Sequence, residues 1–237
     1  MGFSTAISGV FLPKVTAMVT KENNEKAISD LFIRTGRIQY IIIAFILTGF
    51  VVFGKSFIRL WAGSDYEDAY GITLCFFIPM TVPLIQNLGI IILQARNQMK
   101  FRSTLYVVIA FVSLVISIPL SKQYGGIGCA ISIALALTTG QIIVMNIYYH
   151  RVIHIDILDF WKEIGKMSLV PFAIGSLSFY LFCIYEIHTV QIFIVCIFAF
   201  SCIYVPLFWF FGMNAYEKEL FVSPVRRFVG RLQKNLQ

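Results

Sequence analysis

Seven polar side chains stand inside long apolar runs of this 237-residue chain: Lys14, Gln86, Asn87, Thr138, Thr139, Gln141 and Asn146. In hydrocarbon a polar group is costly and turns toward a bundle interior or a water-filled cavity, so binding chemistry is expected in this set. Lys14 supplies a cation, suited to neutralising an anionic group or to snorkelling back to the interface. Gln86, Asn87 and Gln141 supply amides, which suit either ligand hydroxyls in a cavity or hydrogen bonds between helices. Acid–base and metal chemistry find no comparable constellation. Carboxylates fall in predicted loops (Asp65, Glu67, Asp68, Asp156, Asp159, Glu163), and His150 and His154, one helical turn apart, have no third ligand beside them. Cys75, Cys129, Cys183, Cys196 and Cys202 lie in apolar runs without paired ligand spacing and read as core or lipid-facing residues. Neither a catalytic role, a cofactor nor a metal is assigned.

The elements that carry these residues follow from composition. Hydrophobic residues make up 58%, charged residues 13% and the mean hydropathy is +0.81, well short of the roughly one-quarter charged content of soluble domains. Continuous apolar runs without alternation predict helices, not a barrel. The expected fold is all-α, a polytopic membrane bundle of about seven spans: 2–20, 38–53, 72–93, 104–120, 126–149, 167–185 and 190–211. Pro79 and Pro83, one turn apart, are expected to bend the third span just before Gln86 and Asn87. Between the fourth and fifth spans Pro119 is expected to close one helix, followed by a polar corner at Ser121-Lys122-Gln123-Tyr124. Gly125, Gly128 and Ala130 then open the next helix as a close-packing surface.

Orientation comes from Lys and Arg. Segments 21–37, 94–103 and 150–166 and the tail 216–237 hold fifteen basic residues, and the alternate loops hold three, Lys55, Arg59 and Lys122. The basic side and the C-terminus are therefore expected in the cytoplasm, with 63–70 external. Basic clusters that flank apolar runs set topology and give no reason to expect nucleic acid, although the formal charge is +7. Residues 221–236 mix apolar and basic positions, as an interfacial helix or a solvated tail would. No basic stretch or small-residue cleavage site marks a secretory leader.

Four segments in order over residues 12–130 resemble polysaccharide flippases of the multidrug/oligosaccharidyl-lipid/polysaccharide exporter superfamily. They are Leu12-Pro13 running into Lys21-Glu22-Asn23-Asn24-Glu25 and Arg34; Phe57 to Ala69, with Gly63, Tyr66 and Ala69; Gln94 to Lys100; and Ile118-Pro119, Tyr124-Gly125, Gly128-Cys129-Ala130. The Gly-Asp frequent in the first and the Asn that often precedes the Ile-Pro are absent here. The resemblance implies the second half of a twelve- to fourteen-helix transporter of the inner (cytoplasmic) membrane. Such a carrier flips an undecaprenyl-type lipid-linked oligosaccharide by alternating access, together with the missing N-terminal half and alongside polysaccharide polymerase machinery. Lys14 would then meet pyrophosphate, and Gln86, Asn87 and Gln141 sugar hydroxyls. A multidrug-type exporter of the same superfamily, or a membrane-embedded transferase or polymerase acting on lipid-linked sugars, is the alternative, and an inactive remnant is also compatible with a partial chain.

Overall fold

A computed structural model of the chain describes residues 12–18, 25–184 and 189–223, with the side chains of residues 12, 14, 183 and 184 excepted. Most of the span expected at 2–20, the Lys14 side chain, the motif at 21–24 and the tail beyond 223 thus lie outside the described residues. Regular structure among those described is entirely helical. Five stretches are long and apolar enough to cross a membrane: Glu25–Trp61, Ser64–Ile85, Met99–Arg151, Ile157–Phe182 and Val190–Gly212.

A short helix α1 (Leu12–Ala17) buries Val15 completely. The next, α2 (Glu25–Trp61), runs 37 residues, about 55 Å at 1.5 Å per residue, and overshoots a hydrocarbon core of about 30 Å. Its membrane part contains the span expected at 38–53, but 25–37, expected as a loop, is helical. The reason is amphipathicity: Ile28, Leu31, Phe32 and Thr35 recur on one buried face, and that face packs on Phe160 and Ile164 of a later helix. Gly36 permits the approach, since a β-carbon there would lie 2.5 Å from the Phe160 ring.

Helix α3 (Asp68–Ile85) contains Pro79 and Pro83 and ends two residues after the second. Gln86 leaves helical geometry (φ −100°, ψ 16°), and α4 (Leu88–Ala95) resumes. The run expected as one bent span is two helices with the amides at the break.

From Met99 to Arg151 the backbone stays helical except at Gly125, whose φ of 58° and ψ of −136° reverse the chain. The arms, α5 (99–124) and α6 (126–151), are antiparallel. Three pairings show it: a β-carbon on Gly128 would stand 2.1 Å from the Leu120 carbonyl oxygen, one on Gly140 would strike Ile109 at 2.1 Å, and Phe101 stacks on Tyr148 at 4.0 Å. Gly128, Ser132 and Ala136, four residues apart, are buried along this seam; Ala130, expected beside Gly128 on the packing surface, is buried about half a turn away, on the face of Gly126, where a β-carbon would lie 3.4 Å from Ile72 of α3. The corner also differs from expectation: α5 continues through Pro119 and the polar residues to Tyr124. Proline's fixed φ is itself helical and forfeits mainly one hydrogen bond, so the positive φ at Gly125 sets the reversal. Within α6 the turns widen to a π-helix at Thr138–Val144.

Helix α7 (Ile157–Ile184) begins ten residues before its expected span, and α8 (Val190–Leu207) leads through a π turn (Phe208–Gly212) into α9 (215–223). Two apolar cores result. One gathers Phe32, Ile92, Tyr149 and Phe160; the other gathers Phe53, Met167, Phe200 and Tyr204 around α2, α7 and α8.

Candidate functional site

The polar residues inside the apolar layer fall into two groups. Gln86, at the α3–α4 break, donates Nε2 to Asn146 Oδ1 at 2.8 Å, and Trp161 Nε1 donates to the same oxygen at 3.2 Å. Asn146 in turn donates Nδ2 to the Ile142 carbonyl. One amide oxygen therefore ties α3, α6 and α7 together, which is the helix-bonding use of an intramembrane amide. Asn87 is buried at 7% exposure and Gln141 at 3%, the latter in the π turns of α6. Gln141 Nε2 has no hydrogen-bond partner among the described residues. These three amides do not line the cavities described next.

The second group borders a groove of about 570 Å³ between α2, α3 and α7. Leu47, Val51, Leu74, Pro171, Phe172 and Phe179 make its walls apolar. Its hydroxyls are satisfied internally. Tyr40 Oη and Ser168 Oγ meet at 2.5 Å across α2 and α7, Thr48 donates to the Ala44 carbonyl, Ser176 to that of Phe172, and Tyr70 to that of Val51. Bonds of this kind let hydroxyls sit at membrane depth. The α2 positions from 40 to 51 give the groove a length of about 16 Å along that helix. Gly175 keeps it narrow at mid-height, where a β-carbon would lie 2.9 Å from the Thr48 methyl.

One turn below Tyr40 lies a charged cluster. Arg37, 4% exposed, holds Glu217, 2% exposed, through Nε–Oε1 at 2.5 Å and Nη2–Oε2 at 3.1 Å. Its Nη1 donates to Glu163 Oε2 at 2.6 Å, and Lys166 pairs with the other Glu163 oxygen at 2.6 Å. Two cations and two carboxylates balance, the condition for burying charge. Glu217 also accepts the Asn214 backbone N–H at 2.9 Å, which fixes the start of α9. By contrast, Lys162 and Asp159 pair at 2.8 Å with both side chains exposed.

Helix α9 closes a smaller, wholly apolar cavity of about 260 Å³, with Phe221 facing Ile41, Tyr204, Phe208, Trp209 and Met213. Arg34 lies over the Tyr216 ring at 5.2 Å on the same helix.

Sequence reading placed Arg37, Glu163 and Glu217 in three separate loops or tails and missed the cluster. The available signal was the buried-face periodicity of 28–39, which puts Arg37 next to that face. His150 and His154 do not share a helix face, because α6 ends at Arg151 and His154 adopts a φ of 59°. Among the described residues no three His, Cys, Asp or Glu side chains gather closely enough for a metal. No family model matches the chain, and no curated protein or solved structure matches it either.

Proposed function

We propose that this chain is one half of a carrier that flips an undecaprenyl-type lipid-linked oligosaccharide across the cytoplasmic membrane, for cell-surface polysaccharide synthesis. The groove between α2, α3 and α7 is the observation that carries this reading. It pairs an apolar length, suited to an isoprenoid or acyl chain, with the Tyr40–Ser168 hydroxyl pair at one end, one turn from the buried Arg37 cluster and so near charge that suits a polar head. The ordered resemblance of segments over 12–130 and the bundle of membrane-length helices support it. Alternating access would work against the N-terminal half, with polymerase machinery receiving the product, and both the C-terminus and the Arg37 cluster would face the cytoplasm.

The test fills the groove. Val51→Trp and Ser176→Trp, each at unchanged membrane level in cells with no other copy, are expected to abolish surface glycan. Normal glycan with both would remove the groove from the function. Altered resistance to amphiphilic drugs with intact glycan would instead favour an exporter.

A further inference from the structure

A second recess opens where α2 ends and α3 begins, at the pole of the bundle opposite the Arg37 cluster. It encloses about 570 Å³, lined by Phe50, Phe57, Trp61 and Tyr66 with Ala62 and Ala69 between them, a size within the range of small-molecule sites. Positions 50, 57 and 61 recur at helical spacing, so three of the four rings stand on one stripe of α2. The rings are held in place by other rings. Phe57 stacks on Trp61 with planes 9° apart and centroids at 6.1 Å, and Phe193 of α8 backs Phe57 at 6.2 Å. Trp61 ends this stack and is 80% exposed. Exposed Tyr66 belongs to the turn Ser64–Tyr66, which Glu67 ties to α2 through Lys55 at 3.4 Å and Arg59 at 3.9 Å. Phe50 stacks on Tyr70 at 5.9 Å, and this pair is the wall between the recess, which Phe50 lines, and the groove, which Tyr70 lines.

Aromatic residues are common where helices leave a membrane, but anchors present their rings outward to lipid, and these four enclose a space. The charges beside them set its depth. Lys55, Arg59 and Glu67 stand within about two turns of Phe57 and Trp61 and are more than a third exposed, so the recess lies in the hydrated layer, where a lipid chain gains little by entering. Its occupant must be soluble in water and still have an apolar face. Among the described residues no charged side chain lines the recess, and the rim sets Lys55 and Arg59 against Asp65, Glu67 and Asp68, a near balance that favours an uncharged ligand. A quaternary ammonium wants ring faces around it on several sides. The parallel Phe57 and Trp61 planes make a flat step instead, with Lys55 and Arg59 beside it to disfavour a cation. Such a step suits a sugar ring. The slightly positive C–H face of a pyranose lies on the negative face of an aromatic ring, while its hydroxyls keep their water or meet the indole N–H and phenol O–H.

We propose that this recess is a saccharide-binding site, which takes one ring of a neutral oligosaccharide on Trp61 with Tyr66 at its border. That it serves the exit side of a carrier rests on the reading above; the binding itself does not.

The whole chain in lipid nanodiscs, with empty nanodiscs as the blank, would be titrated by saturation-transfer NMR. The probes are neutral di- and trisaccharides of glucose, galactose, mannose and N-acetylglucosamine, with tetramethylammonium and inorganic phosphate as charged comparisons. At least one saccharide is expected to bind, and Trp61→Ala to weaken it about tenfold, the factor that one stacking contact supplies. Trp61→Phe should keep most of the affinity. Phe210→Ala, which removes a ring 70% exposed elsewhere on the surface, should change nothing. The site is overturned if every saccharide fails to bind, if Trp61→Ala binds as wild type does, if Phe210→Ala loses as much, or if either charged probe binds more tightly than the sugars. Lipids brominated on the acyl chain give a second readout. Quenching of a fluorescence component that Trp61→Phe lacks would put Trp61 in hydrocarbon as a membrane anchor and also overturn the site. Binding is read on purified protein, so failure here leaves the groove-filling test standing, and normal glycan in that test leaves this site standing.

Discussion

At the scale of single residues, burial separates charges that matter to the fold from charges that do not. Arg37 and Glu217 are almost fully enclosed, so Arg37→Met would strand a buried carboxylate at a cost of about 3–5 kcal/mol. Denaturant unfolding in detergent should show a loss of that size. Lys162→Ala, at a pair whose side chains are 69% and 53% exposed, should leave the midpoint unmoved, because water already screens it. The buried amides fall between these extremes. Gln86→Leu removes one inter-helix hydrogen bond and should lower stability by about 1 kcal/mol, with Asn146→Leu costing more because Asn146 joins three helices. Equal effects of Arg37→Met and Lys162→Ala would contradict the buried cluster.

Among elements, the α5–α6 hairpin depends on two glycines for different reasons. Gly125 needs a positive φ, and alanine there has open space but a strained backbone, a cost of about 1–2 kcal/mol. Gly128 has ordinary backbone but no room, with the Leu120 carbonyl in the place of any β-carbon. Gly128→Leu must push α5 and α6 apart, and overpacking of this kind typically costs about 1–3 kcal/mol. Folded yield in detergent should therefore drop for Gly128→Leu and stay near wild type for Ile143→Leu, whose side chain is half-exposed on the outside of α6. Similar yields for the two would mean that the arms do not touch at Gly128.

For the whole molecule, the Arg37 cluster, Arg96, Arg102 and Arg151 lie at the basic helix ends, and Lys55, Arg59 and Glu67 pair at the opposite ends. A periplasm-dependent reporter fused after Gln237 is expected to be silent, and Ser64→Cys, at an exposed turn, to react with an impermeant thiol reagent from outside. The reverse pattern would invert the proposed orientation. Much of this architecture was legible in the chain. Apolar runs of membrane length define helices without reference to any neighbour, since hydrocarbon forces every backbone group to bond within its own segment. The place of the hairpin was legible too, because Gly125 and Gly128 act through local geometry, though the turn itself sits six residues past the proline expected to end the helix. What sequence could not assign was the partner of each polar group. Gln86 reads equally as a cavity amide or a helix bond until Asn146, 60 positions away, is beside it. Arg37 reads as a loop cation until Glu163 and Glu217, 126 and 180 positions away, enclose it. Hydropathy is a property of one segment, but the burial and pairing of a charge depend on the side chains that other segments bring to it, and only tertiary packing sets those.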